Sequence, residues 1–399
     1  MLNPPLELLV KSMATGDFVK RLALAAALAA GLIPAGCHSH DFPNYEARYR
    51  EYAYVSNSGT NTVTVLDLVN IRLDRIIQVG FHPSGLAASP TRNEIYAVNS
   101  GSGTVSVIDA EKNEVAATIP VHREPYSISV DTEGKRGYVA NSGSNTVSVI
   151  DLPGRRVLAT VGVGEQPGFA RVSPDGSAIA VSNHRGNSVS VIDPVSLKVR
   201  SVWEGCPGAT DIAILPDSSK AFIACSGGHQ VMVVGLARAA AGATAVQPDR
   251  LIAFLDVGRT PVHLALKPDG GEIFVSNFDS NTISEIATGS NEVGGTYLVG
   301  IHPSRGIVSS DNSLLYVSNF GADTVAIYGI DDGRLVGSMH TGHQPDALAF
   351  SAAGHLLLAV DSGAGDLALL RTRLQAMFTL LPTGDKPSDV VVKAFEVKK

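Results

Sequence analysis

Tyr138-Val139-Ala140-Asn141-Ser142-Gly143-Ser144-Asn145-Thr146-Val147-Ser148-Val149-Ile150-Asp151 reads as two short β-strands joined by a polar turn. β-Branched residues fill the flanking runs, and Asn, Ser and Gly supply the turn chemistry between them. The same pattern recurs along the chain. Asn57, Asn99, Asn141 and Asn183 lie 42 residues apart, and Asn277 and Asn319 keep that interval after a slip of ten residues. A period of this size marks an array of equivalent units that share one continuous core.

Each unit contains four β-like runs, as in Tyr138 to Ala140, Thr146 to Ile150, Arg156 to Val161 and Gly168 to Val172. The turns between them, such as Asp151-Leu152-Pro153-Gly154 and Ser173-Pro174-Asp175-Gly176, carry Asp, Gly and Pro. No helical period is sustained anywhere in the array. The Thr-Val pair and its equivalents mark eight copies, from Thr62-Val63 to Asp366-Leu367. The additional length between the fifth and sixth copies falls at Leu236 to Val246 and reads as an enlarged loop. Four antiparallel strands per unit at this spacing predict an all-β fold, a β-propeller.

The ends of the array predict how the ring closes. The first copy starts at its second strand, near Tyr52 to Ser56, and the chain finishes on an isolated first-strand run, Ser388 to Val392. Pairing the two completes a mixed blade and leaves no free edge at the join. Eight four-stranded blades follow, with seven blades plus a decorated terminus as the alternative.

The segment Gly164 through Asp193, with its G-x-x-P, S-P-D-G, V-S-N and S-V-S-V-I-D runs, resembles the YVTN family of β-propeller repeats, as does the opening stretch. The resemblance spans nearly everything from Tyr52 onward; the fifth and eighth copies depart from it, with Cys225 and Asp361 in place of Asn. It implies a propeller fold far more than a reaction. Similar repeats occur in cell-surface proteins, in periplasmic propellers, in lactonase-like enzymes and in the haem-binding propeller of dissimilatory nitrite reductase.

Composition narrows the classes. A net charge of -7 offers no basic footprint for nucleic acid, so none is expected as a partner. Residues 1–36 read as a secretory signal: Lys20 and Arg21 precede the apolar run Leu22 to Ile33, with Ala35 and Gly36 before Cys37. Ile33-Pro34-Ala35-Gly36-Cys37 resembles a lipobox with Pro34 where Leu is usual, so Cys37 is the expected lipidation site and a plain cleaved signal the alternative. Residues 37–50 then form a tether and 51–399 a single propeller domain. The expectation is an exported monomer in the periplasm or on the outer membrane, held to the membrane through the lipid alone. Cys206 and Cys225 remain as an even pair in an oxidising compartment. Placed at the rim ends of the first and second strands of one blade, they are expected to form a disulfide.

Residues that every copy repeats are assigned to structure. The Asn tolerates left-handed backbone and can bond its own loop, while Gly and Pro set the turn into the first strand. Asp109, Asp151 and Asp193 are read as turn formers. Function is sought where equivalent positions differ. Two residues after the aligned proline position, at the channel mouth, the copies carry Gly85, Ser127, Phe169, Asp211, His263, Arg305, Ala347 and Asp389. The residue before that position gives, among others, His82, Glu124 and His302. The candidate ligand-binding residues are therefore Asp211, His263, Arg305, Asp389, His82, Glu124 and His302, set against solvated polar filling of the channel. No catalytic residue is assigned. No H-x-x-x-H or C-x-x-C spacing supports a metal, and no cofactor is assigned.

The function expected is a cell-envelope scaffold, non-catalytic, that binds a protein partner or a small polar ligand at its rim. The alternatives are a lactonase-like hydrolase and a periplasmic protein that handles haem or metal.

Overall fold

The computed structural model describes residues 42–239 and 246–397. The signal segment and Cys37 lie outside the described residues. From Asn44 onward the chain forms eight four-stranded antiparallel sheets arranged as the blades of a ring, each inner strand contacting the inner strands of its two neighbours. The seven-blade alternative is thereby excluded. A representative blade runs outward through Pro125–Val130, Arg136–Asn141, Thr146–Asp151 and Arg156–Gly162.

The core lies in the wedges between blades. Tyr96, Val98, Val105 and Val107 of one blade pack against Ile128, Val139, Ile150 and Leu152 of the next, all buried. Because both faces of the middle strands are covered, Thr146–Asp151 is buried through its apolar run and does not alternate. The outermost strands have one face toward solvent, and Glu114–Pro120 shows the alternation this demands.

Ring closure takes the expected form. Pro387–Glu396 is the inner strand of the first blade and pairs antiparallel with Tyr49–Asn57, from Tyr49↔Glu396 to Ser56↔Asp389. The strand begins at Tyr49, so Tyr49 and Arg50 belong to the propeller and not to the segment expected as a tether. Tyr45 stacks on Tyr49 with ring centroids 5.0 Å apart, and its hydroxyl lies 3.1 Å from Nε2 of His355. These contacts tie residues 45–49 onto the propeller. In the enlarged loop, Arg238–Ala239 pairs with Val246–Gln247 as a small antiparallel ladder.

The repeated Asn is structural, for a reason other than left-handed geometry. Asn277 has an extended backbone, φ -99°. Left-handed φ falls four residues later, at Asn61, Gly103, Asn145, Asn187, Asn281, Asp323 and Gly365. Each repeated Asn is buried, and its amide donates across the hairpin to hydroxyls on the third strand: Asn141 to Thr146 and Ser148 at 3.2 and 2.9 Å, Asn183 to Ser188 and Ser190 at 3.1 and 2.9 Å. The Gly of the G-x-x-P loop lies against this Asn. A Cβ at Gly164 would come within 2.6 Å of Asn183 Cγ, so only glycine lets the two segments approach. Asp109, Asp151 and Asp193 accept backbone N–H bonds in the following turns, as Ser196 to Asp193 at 2.7 Å shows.

Candidate functional site

Each inner strand starts at the rim through the same backbone device. The residue just before the proline position is left-handed in all eight blades: His82, Glu124, Gln166, Gly208, Thr260, His302, Gln344 and Lys386. In five blades its N–H donates to the side-chain oxygen of the left-handed Asn or Asp of the preceding blade, as His82 does to Asn61 at 2.9 Å and His302 to Asn281 at 2.9 Å. This latch fixes the rim. His82, Glu124 and His302 sit at this position on three separate blades. His82 and Glu124 are exposed, and the His302 ring packs 4.4 Å from Phe278. The structure does not bring these three together.

The other four candidates meet in the channel. Asp211 is 3% exposed, with Oδ2 accepting the Leu264 N–H at 3.1 Å and lying 3.5 Å from His263 Nε2. The Gly306 N–H donates to His263 Nδ1 at 3.2 Å, so that nitrogen is unprotonated and Nε2 carries the hydrogen that faces Asp211. Arg305 and Asp389 border the same two cavities, and Asp389 accepts the N–H groups of Leu86 and Val390, both at 2.9 Å.

Three residues outside the candidate set complete the cluster, and Phe169 joins them. Arg171 lies 3.6 Å from Asp211 Oδ1, and Asp346 lies 3.6 Å from Arg305 Nε. Tyr126 meets Phe169 edge to face at 5.5 Å, and the Arg171 guanidinium sits 5.0 Å above the Phe169 ring. Tyr126 and Asp346 fall one residue past the proline position and Arg171 four past it. Comparing one level of the internal alignment therefore misses them; the available signal was any long or ionisable side chain along an inner strand.

The charges depend on one another. Burial pushes the His263 imidazole down to about 4, with Arg305 and Arg171 adding to the shift against the pull of Asp211, so it is neutral at pH 7. Burial acts to raise Asp211, but His263, the two arginines and the Leu264 amide outweigh it and hold the carboxyl below its ordinary range. Asp389 is raised, since burial there exceeds the help from Arg305. Burial disfavours the charge of Arg305, yet Asp346, Asp389 and Asp211 together raise its pKa.

Three cavities here share lining residues in turn. One of about 280 Å³ is bordered by His263, Arg305 and Asp389, one of about 170 Å³ by Arg171, Arg305, Tyr126 and Phe169, and one of about 240 Å³ by Tyr126, Phe169 and His184. A larger cavity of about 450 Å³ lies between the seventh and eighth blades, among Asp311, Tyr316 and Phe350. Its Asp311 is already bonded to Ser309 and Ser313, and among the described residues no cluster of ionisable groups converges there, so the channel is the better candidate. Among the described residues no group of three His, Cys, Asp or Glu is placed to hold a metal ion.

Cys206 and Cys225 form a disulfide with Cα atoms 4.9 Å apart. Cys206 lies in the loop ahead of the strand Ala209–Ile214 instead of on the strand itself, and Cys225 ends the second strand.

Comparison with known proteins gives the fold its relatives. The family profile described as YNCE-like beta-propeller matches residues 132–359. Dihydro-heme d1 dehydrogenase NirN in complex with DHE is similar in structure, with a TM-score of 0.70 at 14% identity over 88% of this chain and 76% of that one. Citrobacter koseri AztD has a TM-score of 0.66 at 14% identity over 88% and 100%. Kuenenia stuttgartiensis hydrazine synthase has a TM-score of 0.55 at 19% identity over 69% and 91%. At these identities the likeness is one of fold alone. No curated relative matches the chain in sequence.

Proposed function

The chain belongs to the YNCE-like beta-propeller family, and from that premise we propose that it is an exported, non-catalytic binding propeller whose channel mouth receives a small polar ligand or a partner's polar side chain. One observation carries this reading. His263, Arg305 and Asp389, at one level of three different blades, line adjoining cavities together with Arg171, and Asp211 and Asp346 stand 3.6 Å from the arginines. A concave site with a few convergent polar groups is the usual form of a ligand pocket.

The same geometry argues against the hydrolase alternative. A general base needs a free nitrogen with a pKa near the working pH. His263 has Nδ1 occupied by the Gly306 amide and Nε2–H turned to Asp211, and it titrates near 4. The haem- or metal-handling alternative has the fold likeness to NirN in its favour but no convergent donor set among the described residues.

We further propose a monomer anchored through lipid on Cys37. Tyr49–Asn57 runs toward the rim and ends there at Asn57, so the N-terminal segment joins the propeller at the face opposite the channel mouth.

The test is purification of the mature protein from its host under native conditions, with intact mass, absorption spectrum and a thermal-shift screen of polar metabolites. A ligand whose stabilising effect is lost on substituting Arg305 supports the reading. A bound haem or stoichiometric metal, or catalytic turnover abolished by His263→Gln, overturns it.

A further inference from the structure

The hydrogen-bonding capacity of the channel is unevenly used. Asp389 accepts two backbone N–H groups, and Asp211 accepts one while facing His263 and Arg171. The guanidiniums are different. Among the described residues neither Arg171 nor Arg305 donates a side-chain hydrogen bond; their nearest carboxylate oxygens lie at 3.6 Å. Each carries five N–H donors in a planar fork. Among the described residues Asp211 Oδ1 and the Asp346 carboxylate also accept no hydrogen bond, but neither comes closer than 3.6 Å to a guanidinium, so the donor forks stay open.

We propose that the channel binds a small organic carboxylate, its carboxylate seated between Arg171 and Arg305 and its flat apolar part in the pocket formed by Tyr126 and Phe169. This rests on the reading of the channel as a ligand site and names the ligand class. The fork of a guanidinium matches a carboxylate edge to edge, and two forks bordering one cavity of about 170 Å³ can hold both oxygens. That cavity and the neighbouring one of about 240 Å³ share Tyr126 and Phe169, so a ligand headed by the arginines continues along aromatic rings. Tyr126 is 47% exposed although it is flanked by the Phe169 ring, which leaves aromatic surface uncovered at the mouth. Asp211 and Asp346 stand against the two guanidiniums, and burial shifts Asp389 toward its neutral form.

The experiment titrates the purified full-length protein with benzoate, acetate, inorganic phosphate and benzylammonium, by calorimetry and by NMR of the arginine Nε–H signals. Benzoate is expected to bind, to shift the Arg171 and Arg305 signals of the unsubstituted protein, and to weaken at least tenfold in Arg171→Gln and Arg305→Gln. Acetate is expected to bind at least tenfold more weakly than benzoate, and Phe169→Leu to narrow that gap. The NMR readout on the unsubstituted protein stands even where a variant fails to fold. Phosphate binding more tightly than benzoate would replace the organic carboxylate with a mineral oxyanion. Benzylammonium binding that Asp389→Asn abolishes would overturn the anion assignment and leave the binding reading intact. If none of the four probes binds and no arginine signal moves, the ligand class fails; if a metabolite screen also finds nothing sensitive to Arg305, the channel reading fails with it.

Discussion

The sulfurs of Cys206 and Cys225 occupy the place that a glycine and an asparagine share in most other blades. Cys206 aligns with Gly80, Gly164, Gly258, Gly300 and Gly384, and Cys225 with the repeated Asn. The exchange is coherent. In this blade the third-strand positions that elsewhere carry Thr or Ser hydroxyls hold Gln230 and Met232, which offer the asparagine amide no hydroxyl. A covalent link takes over the tie.

The disulfide is therefore expected to be replaceable only as a set. Reducing it, or substituting Ala at both positions, should cost about 3 kcal/mol on loop-closure grounds for a separation of 19 residues. Cys206→Gly with Cys225→Asn should recover little of this, because a buried amide is left unpaired. Adding Gln230→Thr and Met232→Ser should recover most of it. Denaturant unfolding of the four proteins measures the series, and full recovery by the Gly/Asn pair alone would overturn the argument.

The glycine–asparagine contact should behave as a unit in the regular blades. Asn141→Ala removes two buried hydrogen bonds and should destabilise by about 2 kcal/mol. Gly164→Ala forces a Cβ onto Asn183 and should cost about 1 to 3 kcal/mol. Combined with Asn183→Ala, the cost of Gly164→Ala should shrink, since the atom it strikes has gone. A double-mutant cycle on unfolding midpoints reads the coupling.

The eighth blade solves the same problem with acid. Asp361 stands at the Asn position and Asp366 at the Thr position; Oδ1 of each lacks a donor, so the pair is satisfied when one carboxyl carries a proton. Burial and the bond to Asp366 push Asp361 up to about 8, above the ordinary carboxyl value that the unfolded chain retains. The folded state then holds a proton that the unfolded state releases. Stability from this pair should be highest below about pH 4, decline as pH rises to about 8 and level off beyond. Asp361→Asn with Asp366→Thr should abolish that slope, measured as the difference between the two proteins' unfolding free energies across the range.

His263 should titrate in the opposite sense. Its imidazole is held down to about 4 by burial and the arginines, below the ordinary value near 6.5. Between pH 6.5 and 4 the unfolded chain takes up a proton that the folded site refuses, so stability falls as the solution is acidified through this window. Imidazole NMR should show one neutral ring, protonated on Nε2, that does not titrate above about pH 5. A ring that titrates near 6.5 would remove His263 from the buried cluster.

Most of the ring is legible in the chain because the information is local and repeated. β-Branched runs, Asn-Ser-Gly turns and the phase of the two ends point to four strands per blade, to eight blades over seven, and to a closing pair that the structure places at Tyr49–Asn57 with Pro387–Glu396. The role of the repeated Asn was only half legible. Its neighbours in sequence suggest a turn, whereas its hydrogen bonds are to hydroxyls five and seven residues on, across a hairpin.

The sequence by itself determined a closed propeller and which positions differ among its blades. Only the tertiary structure decided which of those positions meet. Arg171, Asp211, Arg305 and Asp389 belong to separate blades and have no local signal that joins them; ring closure and the direction of each inner strand bring Arg171, Arg305 and Asp389 to one cavity and Asp211 to 3.6 Å from Arg171. His82, Glu124 and His302 look equivalent in the alignment, yet His82 and Glu124 stay exposed on separate blades and His302 packs against Phe278. Secondary structure follows from short-range sterics and turn chemistry, which a sequence displays. Charge clusters depend on distances between remote residues, and those exist only once the ring is closed.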